Sequence, residues 1–273
     1  MRPRISLVIT TYNWPEALAL VLAGVRAQTR LPDEVLIADD GSGDATRTLV
    51  VRAQDDFPVP LRHVWGPDVG YRLNTSRNRG IVAAHGDYVI LLDGDMVPHR
   101  ALVADHVPVI RRGQYVQGTR VMLEEAPTRR AFATGRVDVH WWTAGIRSRA
   151  NTLRLPWLSA RYRGPQGPLN RTRGAHLAFW RDDALAVNGF DEDFRSYGRC
   201  DSEFVARLVN RGIVRRNLKF AALAYHLHHR GGGAPADENH QRVLRAVRER
   251  LTWVANGADQ HIPHRASLDQ LAP

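Results

Sequence analysis

The chain has 273 residues, of which 44% are hydrophobic and 24% are charged, with a net charge of +10. This length and composition are typical of one large globular domain, or of a core domain with a smaller appendage. A membrane-spanning chain is not expected, because no apolar run approaches the roughly 18 residues that a membrane span needs.

The charge and the cysteine content indicate possible partners and a compartment. Lys219 is the only lysine, so nearly all the positive charge is arginine. This charge favours anionic partners, although a bias toward arginine codons explains it equally well. Aromatic and basic residues do not interleave as in nucleic-acid modules, so no nucleic acid partner is expected.

The single cysteine, Cys200, excludes an internal disulfide. Because Met1–Arg4 leads directly into a strand pattern, we expect a cytoplasmic protein without a secretory signal.

Strand and helix patterns alternate over the first hundred residues. Strands are predicted at 5–11, 34–38, 61–65 and 88–92, and helices from Pro15 through Val25, from Asp44 onward, and over Asn74–Ala84. Because this alternation is typical of βαβ units, it predicts an α/β fold with a doubly wound, mostly parallel sheet of the Rossmann-like kind.

The alternation weakens after about residue 100. Residues 125–174 are rich in Arg, Trp, Pro and Gly, and we interpret them as loops and short helices over the open face of the sheet. Strands are predicted at 178–180 and 221–225, and a helix is predicted to end at Gly212. A final helix carries Val243 and Leu244 on an apolar face opposite several arginines. Such a helix either packs on its own domain or lies on an anionic membrane surface.

Two carboxylates follow the predicted strand at 88–92. Asp93 and Asp95 are separated by one glycine, at the strand end where ligands of open α/β sheets bind. Two carboxylates held there repel each other unless a cation lies between them. The pattern therefore indicates either a clamp for a divalent metal and a phosphate, or a polar exit from the strand.

Two further sheet-edge features favour a nucleotide ligand. Thr10, Tyr12 and Asp40 follow two neighbouring strands, where an aromatic ring and a carboxylate would suit a base. Arg72 and Arg77 supply guanidinium groups suited to a diphosphate. The alternatives are that Asp39–Ser42 forms a plain turn and that Arg77 caps a surface.

The chain resembles family 2 glycosyltransferases of the A-type fold, which are inverting enzymes that use nucleotide-diphosphate sugars. The resemblance rests on four motifs in family order, namely Val8–Asn13, Asp39–Asp44, Arg77–Gly80 and Leu92–Met96. Three later motifs resemble bacterial polysaccharide and lipopolysaccharide enzymes with a galactosyltransferase-like C-terminal part, namely Asn188–Phe194, Gly198–Phe204 and Tyr225–His229. The similarity spans about residues 4–230.

The resemblance implies a division of the chain into three parts. Residues 1–100 would form a nucleotide-sugar-binding half, residues 101–230 an acceptor-binding and catalytic half, and residues 231–273 a C-terminal helical tail.

The resemblance also implies roles for residues of the first half. Thr10, Tyr12 and Asp40 would hold a uracil-type base and the ribose, and Arg72 or Arg77 would contact the diphosphate. Asp93 would lie beside the ribose and the metal, and Asp95 would ligate Mn²⁺ or Mg²⁺ directly.

In the second half, Asp201 occupies the family's position for the catalytic base. The alternative is an N-cap of the following helix. Cys200 departs from the family, which usually has Glu there, so acceptor contacts or rate are in doubt. Glu203 is a candidate second carboxylate on the acceptor side, with a surface or capping role as the alternative.

Histidines and tryptophans complete the expected site. His226 or His229 would provide the third metal ligand, unless these strand-end histidines pack against the sheet. Trp141 or Trp142 is expected to face the acceptor, whereas Trp157 and Trp180 are expected in the core.

The expected function is metal-dependent, inverting transfer of a hexose or N-acetylhexosamine from a UDP-sugar to a glycan or glycolipid in surface polysaccharide synthesis. The alternatives are a non-catalytic nucleotide-sugar or glycan-binding module and a nucleotidyltransferase, although the Gly-rich, Lys-bearing loop that the latter needs is absent after the first strand. Peripheral contact with the inner face of the cell membrane is a further expectation from charge.

Overall fold

Strand and helix alternate over the first hundred residues of the computed structural model, which describes residues 2–159, 161–162, 172–229 and 236–263. The elements of this stretch are strands β1 (Ile5–Thr11), β2 (Glu34–Asp39), β3 (Leu61–Trp65) and β4 (Tyr88–Asp93), and helices α1 (Pro15–Arg26), α2 (Asp44–Gln54) and α3 (Leu73–Ala83). Their order confirms the predicted alternation.

The remainder of the chain is more regular than predicted. Its strands are β5 (Met96–Pro98), β6 (Gln114–Gln117), β7 (Thr119–Leu123), β8 (Ile146–Arg147), β9 (His176–Trp180), β10 (Val214–Asn217) and β11 (Leu223–His226). Its helices are α4 (Leu102–His106), α5 (Glu125–Thr134), α6 (Pro156–Ser159), α7 (Arg181–Ala186), α8 (Cys200–Asn210) and α9 (Asp237–Arg248), with 3₁₀ turns at Val107–Val109, Arg149–Thr152 and Ala258–His261. Strands β5, β6, β7, β8 and β10 were not predicted from the sequence, and the strand predicted at 221–225 begins two residues later.

Seven strands form the main sheet, in the order β10-β6-β9-β4-β1-β2-β3. Only β9 runs antiparallel to its two neighbours in this sheet, which confirms the predicted mostly parallel α/β fold. The register pairs Thr10 of β1 with Asp93 of β4, and Thr11 with Asp39 of β2. Because parallel strands end at the same edge, the polar residues after β1, β2 and β4 meet there.

A second sheet has four strands, in the order β5-β11-β7-β8. All four of these strands follow β4 in the sequence. Within it, β11 pairs with β5 antiparallel and with β7 parallel. The register places His226 opposite Met96, which directly follows Asp95. This pairing brings the end of β11 to the carboxylates after β4.

Both faces of the main sheet are covered, as the apolar runs of its central strands require. Leu7 and Ile9 of β1 face one cluster with α1, whereas Val8 faces the opposite cluster, which includes Phe204 of α8.

Helix α3 is buried although its sequence is polar. Asn78 donates to the Phe190 carbonyl at 2.8 Å and accepts from the Phe190 N–H at 2.7 Å. Thr75 and Asn78 both donate to Glu192, at 2.7 and 2.8 Å. These bonds satisfy the buried side chains of Thr75 and Asn78.

Helix α9 packs on α8, with Val243 and Ala246 buried. Leu244 and Val247 stay 45% and 46% exposed, so the predicted apolar face is only partly used. In the part of the chain that the structure describes, no helix combines the length and apolar content needed to cross a membrane.

The predicted division into three parts stays a prediction. Its first two parts share one sheet, because β9 lies directly beside β4. The boundary at residues 230–231 lies outside the described residues.

Candidate active site

A cavity of about 340 Å³ lies at the carboxyl ends of β1, β2 and β4. Five of the predicted site residues line it, namely Thr10, Tyr12, Asp40, Asp93 and Asp95. Trp14 and Tyr71 line it as well, and were not singled out from the sequence. The structure therefore brings the residues that follow three separate strands into one cavity.

Asp39 and Asp40 have different environments. Asp39 is fully buried and completes the turn, because it accepts from the Ser42 N–H at 2.8 Å and pairs with His63 at 2.8 Å. Asp40 instead faces the cavity and accepts from the Arg72 N–H at 3.0 Å. The plain-turn alternative thus describes Asp39 and not Asp40.

Burial raises the pKa of Asp40 to about 6. The Arg72 N–H opposes this effect, whereas the nearby carboxylates of Asp39 and Asp68 add to it. Tyr12 is 52% exposed and donates its hydroxyl to Asp68 at 3.1 Å. An aromatic face beside a partly desolvated carboxylate can bind a flat ring that carries an N–H group.

Arg77 is buried and does not cap a surface, so that alternative is wrong. Its side chain donates to Asp93 Oδ1 at 2.9 Å and to Cys200 Sγ at 3.5 Å, and its guanidinium lies 5.0 Å from the centre of the Phe190 ring. Thr10 donates to the same Asp93 oxygen at 3.1 Å. Arg77 therefore fixes the orientation of Asp93.

Arg72 is partly buried, and its guanidinium donates weakly to the Tyr71 carbonyl at 3.4 Å. Neither Arg72 nor Arg77 is among the residues that line the 340 Å³ cavity, and contact of either one with a diphosphate stays a prediction.

Asp95, His226 and His229 form one cluster, in which one ligand atom from each lies within 4.8 Å of the others. Asp95 Oδ2 lies 3.4 Å from His226 Nε2 and 3.0 Å from His229 Nε2. Asp95 Oδ1 is buried and has no hydrogen-bond partner among the described residues. Both histidines that the sequence left as alternatives therefore lie at Asp95.

The donor set of this cluster fits a divalent transition metal. Burial lowers the pKa of His226, although the Asp95 carboxylate opposes this, so the imidazole is neutral and able to ligate at neutral pH. One carboxylate and two imidazoles suit Mn²⁺-like ions. The His229 ring also packs edge-on against the Trp14 ring, with 5.9 Å between the ring centroids, and this contact orients the imidazole.

Asp201 lies in the first turn of α8, close to Arg77. Its Oδ1 accepts from the Ser202 N–H at 2.8 Å, and its Oδ2 accepts from the Gly174 N–H at 2.6 Å. Burial raises its pKa, and the charge of Arg77 opposes that rise. The N-cap alternative is wrong, because Arg199 holds that position with a φ of 70°.

Glu203 does not face an acceptor site, which corrects its predicted role. Its side chain is buried, and its two oxygens accept from Arg207 at 2.7 and 2.8 Å. Arg207 is itself fully buried and also donates to the Val187 carbonyl. Glu203 and Arg207 form an ion pair inside the domain, so the surface alternative is wrong too.

The tryptophans separate into buried and exposed groups. Trp180 is 8% exposed, as predicted for the core, whereas Trp157 is 66% exposed, contrary to prediction. Trp141 and Trp142 are 57% and 62% exposed, and Trp142 stacks on His140 at 4.6 Å. Neither lines the 340 Å³ cavity, and their contact with an acceptor stays a prediction.

Arg120 is a charged residue near the site that the pattern analysis missed. It lies in β7, where Thr119, Val121 and Leu123 are buried and Arg120 and Met122 are less so. This burial alternates with a period of two, but the residues Thr119–Leu123 do not alternate between apolar and polar types, so the sequence carries no such strand signal.

Comparison with known proteins identifies the class to which this fold and site belong. The solved structure of residues 1–349 of TarS from S. aureus in complex with UDP-GlcNAc aligns with a TM-score of 0.64 and 15% identity, covering 95% of this chain and 70% of that one. The mannosyltransferase PcManGT from Pyrobaculum calidifontis, in complex with GDP-Man and Mn²⁺, aligns with a TM-score of 0.56 and 17% identity, covering 100% of this chain and 77% of that one. The fold is therefore that of A-type glycosyltransferases.

The chain belongs to glycosyl transferase family 2. The profile of that family matches residues 6–166, which is more than half of the chain. A second profile, described as the N-terminal domain of galactosyltransferase, matches residues 156–230.

Curated relatives are larger than this chain. A chondroitin synthase of Escherichia coli is 30% identical over 81% of this chain and 34% of its own length. A hyaluronan synthase of Pasteurella multocida is 24% identical over 92% of this chain and 27% of its own length. A validoxylamine A glucosyltransferase of Streptomyces hygroscopicus subsp. limoneus is 32% identical over 77% of this chain and 49% of its own length. The chain thus spans about half or less of these relatives.

Proposed function

We propose that this chain transfers a sugar, with inversion, from a UDP-sugar to a glycan or glycolipid acceptor, and that the transfer needs a divalent metal. The observation that carries the proposal is that three groups lie near Asp93. These are the Tyr12 and Asp40 pair, the Asp95 cluster with its two histidines, and the buried carboxylate of Asp201.

The first of these groups supports a uracil-type base. A base stacked on Tyr12 would donate its ring N–H to Asp40, while the ribose would lie by Thr10 and Asp93. The complex of TarS with UDP-GlcNAc, which shares the fold, is consistent with this donor class. A hexose or N-acetylhexosamine is the proposed donor sugar.

Asp95, His226 and His229 would hold the metal, and the PcManGT complex with Mn²⁺ makes Mn²⁺ a reasonable choice. When bound, such an ion neutralises charge on the leaving diphosphate. Asp93 would lie beside the metal and the ribose, with its carboxylate held in place by hydrogen bonds from Arg77 and Thr10.

Asp201 is proposed as the general base that accepts the proton of the acceptor hydroxyl. Two backbone N–H groups fix its carboxylate, and its raised pKa strengthens it as a base. Cys200 contributes no negative charge beside it, because burial raises the pKa of the thiol to about 11.

A thermal-shift screen tests the donor site. We expect UDP with Mn²⁺ to raise the melting temperature more than GDP or CDP does, because a ligand of the native state stabilises it by mass action. Asp95→Ala should abolish the metal-dependent part of the shift. Asp55→Ala removes an exposed aspartate at the end of α2 and should keep it. A shift that is equal with and without metal would contradict the metal assignment.

The alternative of a non-catalytic binding module rests on Cys200. Release of UDP in the presence of an acceptor, lost in Asp201→Asn, separates the two functions. If the protein binds UDP but produces no UDP from a UDP-sugar, the result would favour the binding-module alternative. The predicted contact with an anionic membrane surface is tested separately by flotation with anionic liposomes.

A further inference from the structure

A second cavity, of about 200 Å³, carries four basic side chains. They are Arg120, Arg173, Arg215 and Lys219. This second cavity shares no lining residue with the 340 Å³ cavity that holds Tyr12 and Asp40. It is therefore a separate space, and the proposed donor site does not account for its charge.

The second cavity lies next to the proposed base and the proposed metal ligands. Arg173 directly precedes Gly174, whose N–H donates to Asp201 at 2.6 Å. Gln117 holds this segment by bonding to the Arg173 N–H at 2.9 Å and the Arg173 carbonyl at 3.0 Å. The loop that positions the base is thus also a wall of the cavity.

Arg120 connects the second cavity to the metal cluster. In the parallel pair of β7 with β11, Arg120 lies opposite Ala224, two residues before His226. Arg120 therefore lies on the strand directly beside the one that carries His226.

Three of the basic side chains of this cavity, Arg120, Arg173 and Lys219, form no direct ion pair with a carboxylate among the described residues. The recorded partner of Lys219 Nζ is the neutral amide of Asn151. Burial lowers the pKa of Arg120 and the neighbouring charge of Arg173 lowers it further, whereas the carboxylates of Asp93 and Asp95 oppose this effect. Like charges held together in a partly buried space are stabilised by an anion.

We propose that this cavity binds an anionic group of the sugar acceptor, either a carboxylate or a phosphate. The inference rests on the proposed transferase function. An acceptor must present its hydroxyl to Asp201, and Arg173 of the second cavity directly precedes Gly174, which donates to Asp201. Guanidinium groups suit both carboxylate and phosphate, because each can take paired N–H donors.

Lys219 allows a direct test, because it is the only lysine in the chain. Reductive methylation with ¹³C-formaldehyde labels its amine and keeps its charge, and the labelled N-terminal amine serves as an internal reference. Spectra are recorded while glycerol 3-phosphate, methyl glucuronide or neutral methyl glucoside is added to protein saturated with UDP and Mn²⁺.

We expect the two anions to shift the Lys219 signal and to bind about tenfold more tightly than the glucoside, as one charge-assisted contact would produce. The ratio between phosphate and glucuronide then identifies which anion the acceptor carries. Arg120→Gln should weaken both anions about tenfold and leave the affinity for the neutral glucoside within twofold. Arg52→Gln removes an exposed charge on α2 and should change neither.

Two results would overturn the inference. One is a Lys219 signal that shifts when UDP is added and does not shift when an anion is then added, because the cavity would then belong to the donor site. If all three probes bind equally, its charge does not select the acceptor. Failure of UDP to bind at all, measured by calorimetry in the same samples, would instead overturn the proposed function.

Discussion

Replacement of Asp40 by asparagine is expected to stabilise the free protein above pH 6 and to remove a pH dependence from nucleotide binding. The cause is the desolvation of the carboxylate, which raises its pKa from 3.8 to about 6. The Arg72 N–H offsets part of this effect, and the charges of Asp39 and Asp68 add to it. The same carboxylate is the proposed acceptor for the base of the donor.

The effect on stability has a defined sign. Because the folded-state pKa is raised, the native protein holds the proton more tightly than the unfolded chain does. The contribution of Asp40 is therefore fully present below about pH 4 and is lost as the pH rises through about 6. A shift of about two units corresponds to at most about 3 kcal/mol. Partial exposure of Asp40 reduces the expected gain of Asp40→Asn at pH 8 to on the order of 1–2 kcal/mol.

The effect on binding has the opposite sign. The ionised carboxylate accepts the N–H of a base more strongly than the protonated acid does, and with a pKa of about 6 it is about 90% ionised at pH 7 and about 10% ionised at pH 5. UDP affinity of the native protein should therefore fall by up to about tenfold between these pH values because of Asp40.

Urea unfolding and calorimetry with UDP and Mn²⁺, each from pH 5 to 8, measure both effects. The difference between the native protein and Asp40→Asn isolates the effect of Asp40, because the UDP phosphate and the metal ligands titrate equally in both proteins. The reasoning is refuted if the two proteins show the same pH slope for UDP, or if Asp40→Asn is the less stable protein at pH 8.

Three other substitutions test separate parts of the structure. Asp201→Asn should lower turnover about a hundred- to ten-thousand-fold while UDP affinity stays within twofold, and turnover like that of the native enzyme would exclude Asp201 as the base. Glu203→Gln leaves Arg207 buried without its counter-charge and should cost about 3 to 5 kcal/mol in urea unfolding, whereas a loss below about 1 kcal/mol would place the pair at a solvated surface. Gly80→Ala should cost about 1 to 3 kcal/mol despite the better helix propensity of alanine, because its Cβ would lie 2.6 Å from Val8 Cγ1. An unchanged unfolding midpoint for Gly80→Ala would show that the backbone relaxes there.

The parallel part of the fold and the donor side of the site were predictable for one reason. Strands that are buried on both faces are continuous apolar runs, so Ile5–Thr11, Glu34–Asp39 and Tyr88–Asp93 are visible without any tertiary information. Parallel strands also end at one edge, so Asp40 and Asp93 were expected near each other. Local sequence and sheet geometry were sufficient.

Residues on helices were harder to place, because a helix face is assigned only once its neighbours are known. Glu203 and Arg207 are spaced like a surface pair, yet both face the interior. Arg77 lies in a polar helix that is buried because Asn78 and its neighbours find partners on the segment after α7. No periodicity distinguishes these cases from exposed helices.

The order of the first strands and helices, the family and the carboxylates at the strand ends are readable from residues that are neighbours along the chain. The contact of Asp95 with both His226 and His229 is not readable in this way, since it depends on the pairing of β5 with β11. The same holds for Arg120 and Arg173, which come from different segments and border one cavity. Contacts between distant segments follow from strand pairing and packing, which the order of residues does not display locally.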